Sequence, residues 1–189
     1  MNRELVFLVE GKAEKSLLEA LAPRLLPLGC AYKIVCFRGK QDMEKTLPRT
    51  LKAWQNPKAR FLILRDQDCG VCEQIKARLL ELVRAAACVR PFKVRIACRA
   101  LENWYLAQLE VVGRVFSKSR LSQMQNRARF RRPDDISNPV AELEKLTAGL
   151  YQKVSGSSRL GATLALDNDR SPSFKNFIGA IKFLTGLPE

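Results

Sequence analysis

The chain has 189 residues and a formal net charge of +14 at pH 7, with 33 lysine and arginine residues against 19 aspartate and glutamate residues. It contains no histidine, which excludes Ser-His, Cys-His and histidine-ligated metal chemistry within the chain. This length, with an apolar fraction of 47 %, predicts a globular protein whose core needs neither disulfides nor a metal. The surplus of positive charge favours a polyanionic partner, most simply nucleic acid, and the alternative is charge that serves only solubility.

Strand and helix patterns alternate through the first hundred residues. Apolar runs predict strands over 3–9, 31–37, 60–64 and 92–98, and helical apolar spacing predicts helices over 14–28, 42–55, 71–87 and 100–113. Strands separated by helices form parallel sheets with right-handed crossovers. The pattern therefore predicts an α/β fold with a mostly parallel four-stranded sheet flanked by helices.

The character of the chain changes after residue 113. We predict that residues 1–113 form the α/β core and that residues 114–189 form a basic segment and a helical extension packed on it, within one compact domain. The segment 114–133 has seven basic residues and no acidic one. A helix is predicted over 134–152, with Asn138 as its cap and Pro139 at its first position. A loop over 153–162 and a last helix over 171–184, capped by Ser171 or Ser173, complete the chain.

Acidic side chains follow three of the predicted strands. Glu10 follows the first strand, Asp66 and Asp68 follow the third, and Glu102 follows the fourth. Ligands of open α/β sheets bind at the carboxyl ends of the strands, so these carboxylates are expected to meet at one edge. If the chain is extended there, Asp66 and Asp68 point the same way and share one Mg²⁺ or Mn²⁺ ion. Glu10 is then a third ligand or a general base, and Glu102 binds a second ion or anchors the first.

A second Asp-x-Asp pair, Asp167 and Asp169, occurs near the end of the chain. It follows no predicted strand. A polar turn or a helix cap is the simpler interpretation of this pair, and a role at the metal site is the alternative.

Several motifs resemble the Toprim fold that topoisomerases, primases, recombination proteins and nucleases of the overcoming-lysogenization-defect type share. "LVFLVEGKAEKSLLEALAPRLL" resembles the opening Toprim motif and "LILRDQD" resembles the Toprim Asp-x-Asp motif. "ACRALENWYLA" and the stretch from "NPVAELEKL" to "DRSPSFKNFIGAIKFL" resemble, more narrowly, a bacterial Toprim-like family catalogued as a domain of unknown function, family 4276. This resemblance covers nearly the whole chain and implies a Toprim-like, Rossmann-like fold with a C-terminal helical extension.

The resemblance also implies an activity. It makes Glu10 the catalytic glutamate, Asp66 and Asp68 the metal-binding pair, and Glu102 the extra acidic residue of the nuclease branch. The implied function is metal-dependent hydrolysis of DNA or RNA, in bacterial defence or mobile-element biology, beside an ATPase partner. The alternative is a non-catalytic basic module that binds nucleic acid or an ATPase through a degenerate Toprim site.

Basic residues near these motifs are candidate phosphate contacts. Arg127, Arg129 and Arg131 fall on one side if the chain is extended, Arg132 continues the run, and Phe130 either stacks on a base or anchors the segment. A solvated basic loop is the alternative. Lys12, beside Glu10, either contacts phosphate or is simply solvated. Arg65, directly before the aspartate pair, contacts phosphate or pairs with Glu10.

The six cysteines and the location in the cell complete the predictions. The short apolar run before Glu10 does not fit a secretion signal, so we predict a cytoplasmic protein with reduced thiols and no membrane contact. Cys69 and Cys72 form a redox pair, half a zinc site, or a turn thiol beside a buried thiol. Trp104 and Tyr105 are expected in the core. The oligomeric state and the choice between DNA and RNA stay open.

Overall fold

The structure, a computed structural model, describes residues 4–188. Its strands are β1 (Glu4–Val9), β2 (Ala31–Cys36), β3 (Ala59–Asp66) and β4 (Phe92–Ala97). Its α-helices are α1 (Lys12–Leu25), α2 (Lys40–Ala53), α3 (Cys72–Ala85), α4 (Glu102–Leu106), α5 (Leu109–Val115), α6 (Pro139–Leu146), α7 (Lys153–Gly161) and α8 (Pro172–Thr185). Short 3₁₀ turns (Ser119–Met124, Ala128–Phe130 and Pro133–Asp135) connect α5 to α6.

The four strands form one sheet in the order β2-β1-β3-β4, and every neighbouring pair is parallel. The predicted α/β fold is therefore confirmed. The chain moves outwards from β1 to β2 and returns to β3 on the other side, so the order reverses between β1 and β3. In open α/β sheets this switch point opens a crevice where ligands bind. Val9 pairs with Leu64, so the residues that follow, Glu10 and Arg65, lie level at the mouth of that crevice.

Alternate residues of the central strands enter two hydrophobic cores, one on each face of the sheet. Phe7 and Leu64 join the larger core, which α1, α4, α5 and α8 cover. Leu8 and Ile63 join the smaller core, which α2 and α3 cover. Trp104 and Tyr105 are fully buried in the larger core, as predicted. The chain after residue 113 adds Phe130, Tyr151 and Phe174 to it.

The outer strands differ from the inner ones in charge. Lys33 lies on β2, where it forms an ion pair with Glu4 at 3.4 Å. Lys93 and Arg95 lie on β4, and both are half-buried. Each exposed flank of the sheet therefore carries cationic side chains. No helix among residues 4–188 is long and apolar enough to span a membrane.

The prediction of a loop over 153–162 is wrong, because these residues form α7. The glycines and serines that suggested a loop allow close packing instead. A Cβ atom on Gly161 would lie 2.5 Å from the carbonyl oxygen of Leu17 in α1, and one on Gly156 would lie 2.5 Å from the ring of Tyr151. The small residues therefore let α7 pack directly against α1.

The boundaries of several other helices and strands differ from those predicted from the sequence. The helix predicted over 100–113 is two helices that break at Gln108, and the one predicted over 134–152 is only Pro139–Leu146. β3 extends through Asp66 instead of ending at residue 64. The predicted caps are confirmed: Asn138 Oδ1 accepts from the Ala141 amide at 3.3 Å, and Ser171 Oγ accepts from the Phe174 amide at 3.1 Å. Residue 3 of the first predicted strand lies outside the described residues.

Candidate functional site

Asp66 is a buried acidic residue of the switch-point crevice. It is the last residue of β3, it is 5 % exposed, and it shares a sheet face with Leu62 and Leu64. Burial raises the pKa of Asp66 well above its ordinary value, and the nearby carboxylates of Glu14 and Glu102 raise it further. Within the described part of the chain its Oδ1 atom has no hydrogen-bond partner.

Glu14, which the sequence analysis missed, belongs to the same cluster. It lies in the first turn of α1 and is 4 % exposed. Burial raises the pKa of its carboxyl group, and the charge of Glu102 adds to the rise. The position of Glu14 could have been predicted from its spacing. Because α1 begins at Lys12, a residue four positions after Glu10 lies in the first turn of that helix, at the same edge of the sheet as Glu10. The sequence analysis missed this position because it predicted that the helix begins at residue 14.

Glu102 begins α4 and is completely buried. The hydroxyl group of Tyr151 donates a hydrogen bond of 2.8 Å to its Oε1 atom. Its Oε2 atom has no partner in residues 4–188. Tyr151 therefore fixes the orientation of the carboxylate while leaving one oxygen atom available. Burial also raises the pKa of Tyr151, which keeps the phenol protonated as the donor.

Lys153, the first residue of α7, supplies a positive charge to this cluster. Partial desolvation of the ammonium group alone would lower its pKa. The carboxylates of Glu102, Asp66 and Glu14 outweigh burial, so the pKa is raised and the group stays charged. Sequence reasoning missed Lys153 because it assigned this residue to a loop.

Glu10 lies across the edge of the sheet, on the side that α2 covers. Burial raises the pKa of Glu10, and the carboxylates of Glu14 and Asp68 raise it further against the opposing effect of Arg65. The Nε atom of Arg65 is 3.6 Å from Glu10 Oε2, whereas its Nη1 atom is 2.6 Å from Glu44 Oε1. Of the two roles left open for Arg65, the ion pair therefore fits better than a phosphate contact. The close partner, however, is Glu44, which the sequence analysis did not consider.

Asp68 does not follow the extended geometry expected for an Asp-x-Asp pair. Its φ angle is +54°, in the left-handed region, and its amide donates to the carbonyl oxygen of Arg99 at 2.8 Å. The side chain is half exposed and lies 3.8 Å from the ammonium group of Lys40. The prediction that Asp66 and Asp68 point the same way in an extended chain is therefore wrong, because the strand ends at Asp66.

The donor chemistry of the cluster fits a hard divalent cation. Glu10 Oε2, Asp66 Oδ1 and Glu102 Oε2 are buried oxygen atoms without hydrogen-bond partners in the described chain. Oxygen ligands of this kind suit Mg²⁺ and Mn²⁺. No three acidic or thiol side chains of residues 4–188 are already gathered around one point at metal-binding distance. The acids of the two sheet faces would have to rotate inward to share an ion.

The arginine-rich segment takes a form other than the extended one predicted. Ala128–Phe130 is a 3₁₀ turn, so Arg127, Arg129 and Arg131 do not line one side of an extended chain. Arg129 forms an ion pair with Glu142, and Arg132 lies 2.8 Å from Asp135. Phe130 is buried, so it anchors the segment and is not available to stack on a base.

The remaining candidate residues from the sequence are Lys12, the second aspartate pair and the cysteines Cys69 and Cys72. Lys12 is exposed at the start of α1. Asp167 and Asp169 are exposed, and Asp167 lines a groove beside α8. The thiol of Cys72 lies beside that of Cys98, with their Sγ atoms 4.0 Å apart.

An all-parallel sheet in this order, with buried acids at its switch point, defines an α/β protein of the Toprim-like fold. The C-terminal region of the Burkholderia pseudomallei OLD protein matches it with a TM-score of 0.59, over 98 % of this chain and 99 % of that chain, at 17 % identity. The chain belongs to the family described as Domain of unknown function (DUF4276), which matches residues 9–182. No curated protein matches significantly. Both the Toprim-like fold and the family predicted from the motifs are confirmed.

Proposed function

We propose that this protein is a metal-dependent nuclease of the Toprim type. The observation that carries the proposal is the set of buried carboxylate oxygens at the switch point of the sheet that have no hydrogen-bond partner in residues 4–188. Buried carboxylates repel one another and are costly without a cation, so a group of them is typical of a functional site. The net charge of +14 favours a polyanionic substrate.

The proposed metal ligands come from five places in the chain. Glu10, Asp66, Asp68 and Glu102 are those named by the motifs, and Glu14 joins them because of its position. A bound Mg²⁺ or Mn²⁺ ion would polarise a phosphoryl oxygen and lower the pKa of a bound water. Tyr151 holds the Glu102 carboxylate in place, and the ammonium group of Lys153 offers a positive charge to an approaching phosphate.

The proposal is tested by cleavage of labelled single- and double-stranded DNA and RNA with Mg²⁺, Mn²⁺ or a chelator. Asp66→Asn and Glu102→Gln should each lower the metal-dependent rate by at least about 100-fold, since even outer-shell changes cost about 10–100-fold at metal sites. The exposed Glu110→Gln is the matched control and should keep the wild-type rate. Cleavage that persists in Asp66→Asn, or that does not need the metal, would contradict the proposal.

Metal binding is tested separately by thermal unfolding. A ligand at about 100 times its Kd stabilises the folded state by about 2.7 kcal/mol, so Mn²⁺ should raise the melting temperature of the wild type. Asp66→Asn should lose that rise, and Glu110→Gln should keep it. An equal rise in all three proteins would place the bound ion elsewhere.

The second candidate function is a non-catalytic module that binds nucleic acid. It is favoured by the cations already present at the site, since Lys153 and Arg65 offset part of the acidic charge without any metal. Nucleic-acid binding that is unaffected by Asp66→Asn and by chelator, without cleavage, would support it. An ATPase partner and a role in bacterial defence or mobile-element biology are implied by the resemblance and are proposed only on that basis.

A further inference from the structure

A groove of about 560 Å³ runs between β4 and α8, on the flank of the sheet. Four of its lining side chains are cationic: Lys93, Arg95, Lys175 and Lys182. Asp167 is the single acidic residue among those that line it. Of the candidate site residues predicted from the sequence, Asp167 is among those that line this groove, which we call the β4–α8 groove.

The exposed face of α8 gives the groove a regular pattern. Lys175 and Lys182 are seven residues apart on α8, as are Asn176 and Phe183, so the members of each pair lie two turns apart on the same side of the helix. Phe183 is 57 % exposed, which is unusual for so large an apolar side chain. The ammonium group of Lys93 lies 3.9 Å from the centre of its ring. Charge and an aromatic surface thus occur together, as in sites that bind single-stranded nucleic acid.

The lysines of this groove are not engaged in ion pairs, unlike Arg129 and Arg132 of the arginine-rich segment. No acidic group of residues 4–188 lies within the 4.0 Å ion-pair distance of Lys93, Lys175 or Lys182. Arg95 has another role, because its Nε atom donates to the carbonyl oxygen of Asn176 at 2.8 Å and ties α8 to β4. The three lysines are therefore the groups that can neutralise phosphates.

The groove continues towards the candidate active site. A second cavity of about 410 Å³ shares Arg95 and Asn176 with it and adds one cation, Lys76, and one acid, Glu73. Cys72 and Cys98 are also among the residues that line this cavity. Cys72 begins α3 directly after the loop that carries Asp68, and Cys98 follows the last residue of β4. Both cavities lie on the β4 flank of the sheet, and the second reaches Cys98 at the carboxyl end of β4, the end at which the acidic cluster also lies.

We infer that the β4–α8 groove binds the phosphate backbone of a single strand of nucleic acid and that Phe183 stacks on one of its bases. The inference depends on the proposed function in one respect, namely that the bound strand leads to the acidic cluster as its site of cleavage. Binding itself does not require catalysis. A cleft between a helix and a strand edge suits a single strand better than a duplex, because one line of cations faces one backbone.

Binding is measured by fluorescence anisotropy of labelled single-stranded DNA and RNA, in chelator and over a range of salt concentrations. The variant Lys93→Gln/Lys175→Gln/Lys182→Gln should lower the magnitude of the salt slope by about 2, since each phosphate contact of a single strand contributes about 0.7. The control is Lys45→Gln/Lys52→Gln/Lys58→Gln, which removes the same charge from exposed lysines on and after α2. It should leave the slope nearly unchanged.

A second variant, Phe183→Ala, tests the stacking contact. It should weaken the binding of single strands by about tenfold, in line with aromatic stacking at other single-strand sites, and should leave the salt slope unchanged. Equal effects of the two lysine variants would overturn the inference, because the binding would then follow net charge alone. Preferential binding of duplex would also overturn the inference. Stronger competition by polyglutamate than by an oligonucleotide would overturn it too, because that result would indicate an acidic protein partner.

The two proposals can fail independently. Hydrolysis of bis(4-nitrophenyl) phosphate, which is too small to occupy the groove, reports on the acidic cluster alone. The groove variant should keep any such activity, and Asp66→Asn should lose it. Loss of this activity in the groove variant would overturn the groove as a separate binding surface, whereas normal strand binding with no hydrolysis by any variant would overturn only the nuclease proposal.

Discussion

At the scale of single residues, the acidic cluster shows that residues at the same end of neighbouring strands can point their side chains to opposite faces of the sheet. The carboxyl ends of β1, β3 and β4 do meet at one edge, but alternate residues of a strand face opposite sides of the sheet. Asp66 therefore faces the larger core with Glu102, while Glu10 faces Arg65 and Glu44 on the other side. The edge of the sheet, and not one of its faces, is where these groups interact.

The burial of Asp66 gives a prediction about pH in the absence of metal. Its pKa is raised in the folded protein, so the folded state holds a proton that the unfolded state releases at the ordinary carboxyl pKa, about 3.9. Stability is then greatest below that pH and is lost as the pH rises through the raised pKa. Asp66→Asn removes this loss, so the variant should be more stable than the wild type near neutral pH and equal to it in acid.

Urea unfolding across this pH range, in chelator, measures the difference between the two proteins. Asp169→Asn is the control, because Asp169 is exposed and should show no such dependence. A stability difference that is the same at every pH would mean that the Asp66 carboxyl group does not titrate differently in the folded state.

The sequence was sufficient to place Glu10, Asp66 and Glu102 at one edge of the sheet, but it predicted neither the orientation of Asp68 nor the neighbours of these acids. The positions of the three acids could be predicted because each lies at or shortly after the carboxyl end of a strand with a clear apolar pattern. Glu14 and Lys153 could not, because their positions depend on where α1 and α7 begin, and boundaries are the least reliable part of a helix pattern. The ion pair of Arg65 with Glu44 joins β3 to α2, a contact that no local pattern encodes.

At the scale of whole elements, α7 shows that glycine and serine do not always indicate a loop. Composition favoured a loop over 153–162, since glycine is a poor helix former. Close packing on α1 overrides that preference, because only a residue without a side chain fits against the Leu17 carbonyl group. The strands were easier to predict, since β1 and β3 are buried on both faces and read as continuous apolar runs.

Two glycines in different helices test this explanation. Gly161→Ala places a Cβ atom 2.5 Å from the Leu17 carbonyl oxygen and should destabilise the protein by about 1–3 kcal/mol, as overpacking does. Gly179→Ala in α8 has no atom of the described chain within 4 Å of the new Cβ and should stabilise by up to about 1 kcal/mol through helix propensity. Denaturant unfolding measures both. If both substitutions stabilised the protein, α7 would not be closely packed on α1.

At the scale of the whole molecule, the surplus of positive charge should affect stability as well as binding. Self-repulsion of a net charge of +14 opposes the compact state, and salt screens it. The melting temperature should therefore rise between low and moderate concentrations of NaCl. The variant Lys45→Gln/Lys52→Gln/Lys58→Gln, with three fewer positive charges, should show a smaller rise. A melting temperature that falls with salt would mean that the surface ion pairs outweigh the repulsion.

The cations on the two outer strands have a consequence for self-association. An unprotected outer strand offers free backbone groups to a second chain, and charged side chains there discourage edge-to-edge pairing and fibre growth. Lys33 on β2 and Lys93 and Arg95 on β4 would bring like charges together if two copies extended one sheet. Continuous sheets built from many copies are therefore disfavoured even at high protein concentration. Any homodimer of this protein is expected to meet through its helices, and its strands should stay protected from aggregation.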